Sequence, residues 1–344
     1  MPYEVTIGIP VYNVEKYIRQ TLESALAQTF PSIEFLICDD CGTDSSITIV
    51  EEYQLRHPRG KDIRILKQNK NKGVGCARNL IINEAQGKYL YFLDSDDLIV
   101  YDAIEVLYEN ARKYNSDIVY GSMEKVLVYD NNRRFKNIEY PFAVFNEIGD
   151  FAQYAFRKYN GIQTSSCNYL VKLDVYRQNN LSYFPINYWE DQLMSIDLPI
   201  YVTRAVLIPD ITYLYMCRTG TLSHYQKRTH IEKEEILDII WAIGKVKKKY
   251  DLLRGKAFFS LWLYKVMMSC FYITCSVLRN RNAICPPFSK RELCDIMCSP
   301  LSFSDLLLIR KKVLANYFLY FIGILPCSIS IRLLTLLGKY KKLV

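Results

Sequence analysis

Tyr89-Leu90-Tyr91-Phe92-Leu93, followed at once by Asp94-Ser95-Asp96-Asp97, decides how this chain folds and where its chemistry sits. The five apolar residues are β-prone and bounded by Gly87-Lys88 on one side and by acids on the other, the pattern of a short buried strand. Three carboxylates at a strand's end repel one another unless a cation lies between them. Oxygen ligands at that spacing suit a hard divalent ion, Mg²⁺ or Mn²⁺, which completes its shell with phosphate oxygens. Taken alone, the same residues also describe an acidic turn that caps a following helix. The rest of the chain separates the two readings.

Working outward, strand and helix patterns alternate. Val5–Ile9 reads as a strand that stops at Pro10, and Asn13 precedes a helix with Ile18, Leu22, Ala25 and Leu26 on one face, ending before Pro31. Ile33–Cys38 is a second strand, with Asp39 and Asp40 at its end. Thr43-Asp44-Ser45 can cap a helix carrying Ile47, Val50 and Tyr53, and Ile63–Leu66 is a third strand. The loop Asn71-Lys72-Gly73-Val74-Gly75 leads into a helix over Ala77–Ala85, before the strand Tyr89–Leu93. A helix over Ala103–Tyr114 and a strand over Asp117–Gly121 follow. This alternation predicts a mainly parallel α/β sheet sandwiched by helices. Ligands of such sheets bind beyond the carboxyl ends of the strands. Pro10, Asp39, Asp40, Asp94, Asp96 and Asp97 all fall there, so residues remote in sequence meet at one rim. Unrelated acidic turns do not produce that coincidence.

The stretch 122–187 is irregular, rich in Tyr and Asn, and expected to form the acceptor side of a cleft. Tyr188-Trp189-Glu190-Asp191 opens a helical stretch with Leu193, Ile196 and Ile200 on one face. Acids at a helix start also have a plain explanation, the helix dipole.

Half of the 344 residues are hydrophobic, enough for a sizeable core, and the net charge is +8. That charge is unevenly spread. Residues 1–230 hold 25 Lys and Arg against 28 Asp and Glu, whereas residues 231–344 hold 19 against 8. The chain therefore reads as a catalytic α/β part over 1–230 and a basic, apolar helical extension over 231–344. Ile231–Tyr250 is a basic amphipathic helix, and Ala257–Leu278 and Val313–Leu337 are long apolar stretches interrupted by Lys265, Pro326 and Arg332. Apolar faces beside Lys clusters fit helices lying on an anionic membrane surface; the alternatives are a helical subdomain packed on the sheet and true membrane spans, which the stretches are long enough to form but in which their internal charges are costly. The lysines accompany aliphatic runs rather than spaced stacking aromatics, which excludes nucleic acid as the expected partner. Met1–Glu4 leads straight into a strand with no charged-then-apolar leader, and the 11 cysteines have no framework spacing. The expected place is the cytoplasm, peripheral on the inner face of the plasma membrane. Cys38-x-x-Cys41 encloses two aspartates, which blunt a thiol's reactivity and disfavour a redox or zinc role. Cys294 and Cys298 read as two small buried residues on a helix.

Seven segments carry a family resemblance. They are Ile9–Asn13, Ser24–Phe30, Cys38–Asp44, Asn71–Asn79, Ala85–Tyr89, Leu93–Asp97 and Trp189–Asp191. In this order they resemble the family 2 glycosyltransferases, inverting enzymes of the GT-A fold that use nucleotide sugars; the likeness covers residues 4–225. It implies roles for the matching residues. Asp39 and Asp40 would meet the nucleotide's base and ribose, with Pro10 and Tyr12 lining that pocket. Arg78 would stand beside the donor phosphates. Asp94 and Asp96 would form the Asp-x-Asp element that binds the donor and holds Mg²⁺ or Mn²⁺, Asp96 first and Asp97 as a further ligand. Asp191 would be the catalytic base, ionised at rest, with Glu190 beside it. Arg218 and Ser223 resemble a late loop over the diphosphate, the weakest of these matches. Cys41-Gly42 departs from the family's Gly-Ser at that place but keeps both carboxylates.

The resemblance implies transfer of a sugar, from a UDP-sugar donor, to a hydroxyl of a glycan or lipid-linked acceptor in cell-surface polysaccharide assembly. Two other classes share part of the pattern, a nucleotidyltransferase and a non-catalytic nucleotide-sugar binding module. The first would carry a Gly-rich loop with Arg and Lys after the first strand, where this chain has Pro10-Val11-Tyr12-Asn13. The second has no need of Asp96 and Asp191 together.

Overall fold

The structure is a computed structural model describing residues 2–157, 162–186, 188–218, 229–297 and 301–341. The chain divides into two compact units: Met1–Phe151 with Gln163–Gln226, and Ala152–Ile162 with Lys227–Val344. The short segment 152–162, inside the part read as catalytic, thus belongs with the C-terminal unit.

The first unit opens with β1 (Tyr3–Val11), α1 (Ile18–Leu26), β2 (Ile33–Asp39), α2 (Ser46–Arg56), β3 (Ile63–Lys67), α3 (Val74–Glu84) and β4 (Gly87–Phe92). β1 is parallel to both β2 and β4, and β2 is parallel to β3. Every residue from Val5 to Val11 is buried, as a central strand covered on both faces requires. α1 turns Ile18, Thr21, Leu22, Ala25 and Leu26 inward, the face its apolar spacing predicts. Gly8 is obligatory here, because a Cβ would lie 2.6 Å from the Ile81 side chain of α3.

The chain continues through β5 (Leu98–Ile99), α4 (Ala103–Lys113), β6 (Ile118–Leu127), β7 (Arg133–Ile138), β8 (Ala143–Phe145), α5 (Asp150–Arg157), β9 (Tyr169–Lys172), α6 (Leu173–Gln178), α7 (Glu190–Asp197) and β10 (Ala205–Cys217). The strand order is β3-β2-β1-β4-β9-β6-β10-β5, with β7 on β6 and β8 on β10. The parallel half therefore ends at β4. β9 runs antiparallel to both β4 and β6, and β10 runs parallel to β6. The irregular region 122–187 supplies β7, β8, β9 and most of β6, which runs ten residues rather than the five predicted, while β10 comes from beyond that region.

The C-terminal unit holds β11 (Ile231–Glu232), α8 (Lys233–Lys247), α9 (Tyr250–Leu253), α10 (Phe259–Asn280), β12 (Ile284–Cys285), α11 (Lys290–Met297), α12 (Phe303–Leu308), α13 (Val313–Ile324) and α14 (Cys327–Tyr340). The long apolar stretch after Ala257 is α10, whose Trp262, Leu263, Val266, Met267 and Ile273 are buried. It is long and apolar enough to cross a membrane, and 72% of its apolar window lies inside the protein. Lys265 is buried with them, and burial, then Lys311, pushes its pKa down to about 8. Pro326 divides the last apolar stretch into α13 and α14. Cys294, read as a plain buried residue, is instead joined to Cys327 in a disulfide between α11 and α14; Cys298 lies outside the described residues.

Candidate functional site

The carboxyl ends of β1, β2 and β4 converge, and the loops that leave them are locked together. Asn13 follows β1 in a left-handed conformation (φ 51°), and its Oδ1 accepts a hydrogen bond from the Thr43 amide at 2.7 Å. Pro10 is buried in β1, opposite Cys38 of β2, and Tyr12 projects with 46% of its surface exposed. Asp39 ends β2 and accepts from the Gly42 amide at 3.2 Å.

Asp40 is buried. It accepts from the amides of Lys72 and Gly73 at 2.8 and 2.9 Å and from Gln68 Nε2 at 2.7 Å. Burial raises its pKa while those two amides pull it back. Its position at the rim is the expected one, but these bonds also make Asp40 the anchor of the loop that starts α3. Gly73 takes a φ of 84°, which a side chain would strain. At Gly75 a Cβ would lie 2.8 Å from the Phe184 carbonyl, so α3 seats directly on the segment around Tyr183. Asn79 completes that joint, its Nδ2 donating to the Tyr183 carbonyl at 2.9 Å and its Oδ1 accepting from the Tyr183 amide at 2.7 Å.

Immediately before Asn79 on α3 stands Arg78, 2% exposed. Its Nη1 lies 2.6 Å from Asp191 Oδ1 and 3.0 Å from Glu190 Oε1, and its Nη2 lies 3.1 Å from Asp94 Oδ1. The guanidinium also stacks near Tyr183 and Phe92, at 5.4 and 5.9 Å from their ring centres. Burial alone would lower its pKa, but Asp191, Asp94 and Glu190 together hold it well above the ordinary value. The partners that Arg78 meets here are acidic side chains of its own chain. Its charge is engaged by three carboxylates, two from the start of α7 and one from the end of β4.

Asp191 also accepts from Ser166 Oγ, a partner that lies in the irregular stretch and carried no signal in the sequence. Burial raises the Asp191 pKa and Arg78 opposes the rise. Glu190, more deeply buried, is pushed up to about 7 by burial and by Asp191, against Arg78. Trp189 precedes them at φ 71°, a left-handed residue that turns the chain into the helix.

The acidic turn after β4 is pinned from below. Thr21 Oγ1 of α1 donates to the carbonyls of Ser95 and Asp97 at 3.0 and 2.9 Å. The three acids then part company. Asp94 and Asp96 keep about a third of their side chains exposed, 34% and 33%. Asp97 is 2% exposed and points into the protein, accepting from the Met216 amide and from Tyr213 Oη, both at 2.7 Å. Burial, then Asp96 and Asp94, drives its pKa well up. Asp97 is thus the brace that ties the turn to β10. Burial and then Asp94 raise Asp96 to about 6, with Arg218 opposing. The donor set fits a divalent ion bound by one or two carboxylates: Asp94 and Asp96 are unlike Asp97 in being open, and they repel each other.

Arg218 follows β10. Its Nη1 donates to the Asp96 carbonyl and lies 4.0 Å from the Asp96 carboxylate, and its Cζ sits 4.3 Å over the Tyr17 ring. Beside it opens a cavity of about 740 Å³ lined by Lys16, Tyr17, Leu98, Val126, Met216 and Arg218, among others. Ser223 lies outside the described residues. Cys38, buried beside Asp40 and Asp39, has its thiol pushed up to about 12, as an inert cysteine would.

The family profile "Glycosyl transferase family 2" matches residues 6–178, half of the chain. The chain belongs to glycosyl transferase family 2. Among its relatives is an Escherichia coli UDP-Glc:alpha-D-GlcNAc-diphosphoundecaprenol beta-1,3-glucosyltransferase, 30% identical over 69% of this chain and 86% of that one. The chondroitin synthase of Escherichia coli is 40% identical over 38% of this chain, but the match spans only 17% of that protein. The Staphylococcus aureus poly(ribitol-phosphate) beta-N-acetylglucosaminyltransferase TarS is 27% identical over 70% of this chain and 39% of its own length. The crystal structure of TarS 1–349 with UDP-GlcNAc superposes with a TM-score of 0.69 over 98% of this chain and 92% of that one, at 17% identity. Fold and family are thus shared, as the seven segments implied.

Proposed function

We propose that this family 2 chain moves a sugar from a nucleotide-diphosphate donor, a UDP-sugar, to a hydroxyl of a glycan or lipid-linked acceptor in cell-surface polysaccharide assembly, inverting the anomeric carbon. The observation that carries the reading is the joint at Arg78. One buried cation draws the donor-side carboxylate Asp94 and the proton acceptor Asp191 to the same hollow, although 97 residues separate them in sequence. The relatives support the chemistry: one is named for a UDP-glucose donor and a diphosphoundecaprenol-linked acceptor, another for a poly(ribitol-phosphate) acceptor.

In this reading Asp191 takes the proton from the incoming hydroxyl as that oxygen attacks the anomeric carbon opposite the diphosphate. Burial raises its pKa, which strengthens it as a base, and Arg78 opposes that rise. Ser166 and Arg78 fix the carboxylate's orientation. Tyr12, Asp39 and Asp40 flank the nucleoside. Asp94 and Asp96 would hold Mg²⁺ or Mn²⁺, which when bound supplies positive charge to the leaving diphosphate. Arg218, not Arg78, is the arginine that stands on the Asp96 side of the turn. The protein works at the cytoplasmic face of an anionic membrane, reached through residues 231–344, and has no nucleic-acid partner.

A panel of nucleotide sugars, each with and without Mn²⁺, tests this. One UDP-sugar is expected to raise the melting temperature, by mass action, and to be turned over only with the divalent ion. Turnover untouched by a chelator would contradict the metal assignment. Stabilisation by no nucleotide sugar, or consumption of a nucleoside triphosphate instead, would contradict the reading as a whole.

A further inference from the structure

α13 has an apolar character that the protein's own packing does not explain. Its twelve residues, VLANYFLYFIGI, contain no charge. A helix that is apolar all round is normally buried on all sides. Here Asn316, Ile322 and Gly323 are buried on one side, while Leu314, Phe318, Phe321 and Leu325 stand 85%, 49%, 48% and 39% exposed. Leu314, Phe318 and Phe321 recur at i, i+4 and i+7 and form one continuous stripe, and Leu325 follows just past the end of the helix. Phe303 of α12, itself exposed, packs its ring 6.3 Å from that of Phe321, and Leu307 and Leu308 extend the patch along α12. Contiguous apolar surface of this kind marks a place where something binds.

The surrounding charge says what. From Leu301 to Val344 the chain carries seven Lys and Arg against a single acid, Asp305, which is buried. Arg310 and Lys312 are exposed just before the stripe, and Arg332, Lys339 and Lys341 are exposed on or just after α14. An apolar face set among cations complements an anionic lipid leaflet: acyl chains take the stripe and headgroups meet the cations. Length decides how α13 would sit. Twelve residues rise about 18 Å, short of the roughly 20 residues that a helical span needs. α10 has the length but is mostly buried within the protein.

We propose that the α12–α13 face is the membrane-docking surface of this protein, with α13 lying in the plane of an anionic leaflet rather than crossing it. The inference deepens the membrane-facing part of the function proposed above and rests on it for its biological setting, though its own test does not involve sugar transfer. It also alters the expectation from sequence, which gave Ala257–Leu278 and Val313–Leu337 equal standing.

The test is flotation of the full chain with phosphatidylcholine vesicles, with and without phosphatidylglycerol. The native chain is expected to float with the mixed vesicles and not with pure phosphatidylcholine. The triple variant Leu314→Ser, Phe318→Ser, Phe321→Ser should bind at least about tenfold more weakly. The charge variant Lys312→Gln, Lys339→Gln, Lys341→Gln should also lose binding, by about fivefold per cation that meets the leaflet. All the substituted positions are exposed, and unchanged melting temperature and donor turnover would show that the fold is intact. Equal flotation by native and triple-variant chains would overturn the proposal. So would a native dimer in sedimentation that the triple variant dissolves without any vesicle binding, since the face would then belong to a second copy. Normal flotation by a chain that turns over no nucleotide sugar would sink the enzymatic reading and leave this one standing.

Discussion

Glu190 and Asp191 are adjacent acids with different burdens. Asp191 shares Oδ1 between Arg78 and Ser166, whereas Glu190 is buried beside it with Arg78 Nη1 at 3.0 Å. Glu190 therefore takes up a proton in the folded state at a pH where the unfolded chain would release it: its pKa moves from 4.5 to about 7. The sign follows from linkage. Between those two values the native state binds more protons than the unfolded state, so stability falls as pH rises through that window. Glu190→Gln, which is neutral throughout, should flatten that fall, and melting temperatures taken from pH 4 to pH 8 would reveal it. A native profile as flat as the variant's would mean that Glu190 is ionised across the range. Asp97 offers a different lesson. It follows Asp96 and looks equivalent in sequence, yet Tyr213 and the Met216 amide claim its oxygens from β10, 116 or more residues away. No local pattern distinguishes a ligand from a brace when the partner is that remote.

At the level of elements, α3 is the part that aims the site. Gly73, Gly75 and Asn79 set its start and its contact with the Tyr183 segment, and Arg78 reaches its three carboxylates only from that seat. Gly75→Ala would put a Cβ against the Phe184 carbonyl, a backbone atom that cannot swing aside. We expect a loss of about 1–3 kcal/mol in stability, as for overpacking elsewhere, with a fall in transfer larger than the fall in donor binding. Urea melts with donor titrations measure both, and an alanine variant as stable and active as the native chain would refute the close seat. The elements of the parallel half were readable because each is an apolar run punctuated by Pro, Gly or acids. β7, β8 and β9 were not, since β7 is exposed and charged and β9 is four residues long. Ser166 lies in that unread region, which is why the partner of Asp191 escaped notice. The positions of the rim acids were legible from strand ends; the direction in which Arg78 points was not, because burial by distant carboxylates decides it.

Across the whole molecule, the parallel half of the sheet brings the acidic turn after β4 to the same rim as Asp39 and Asp40, and α7 returns from far along the chain to present Asp191 there. The N-terminal unit carries these groups, while the positive charge is concentrated in the C-terminal third, where 19 Lys and Arg face 8 acids. In the proposed reading, chemistry and membrane attachment fall to different parts of one chain. The central claim is that Asp191 accepts the proton of the attacking hydroxyl while Asp94 and Asp96 serve the donor. Its most direct test is Asp191→Asn, an isosteric change that removes the base and keeps the side chain's shape, with donor affinity and single-turnover transfer measured on the same preparation. The account predicts a donor Kd within about twofold of native and a transfer rate lower by about 10²–10⁴. Transfer at a near-native rate, with the donor bound as before, would contradict it.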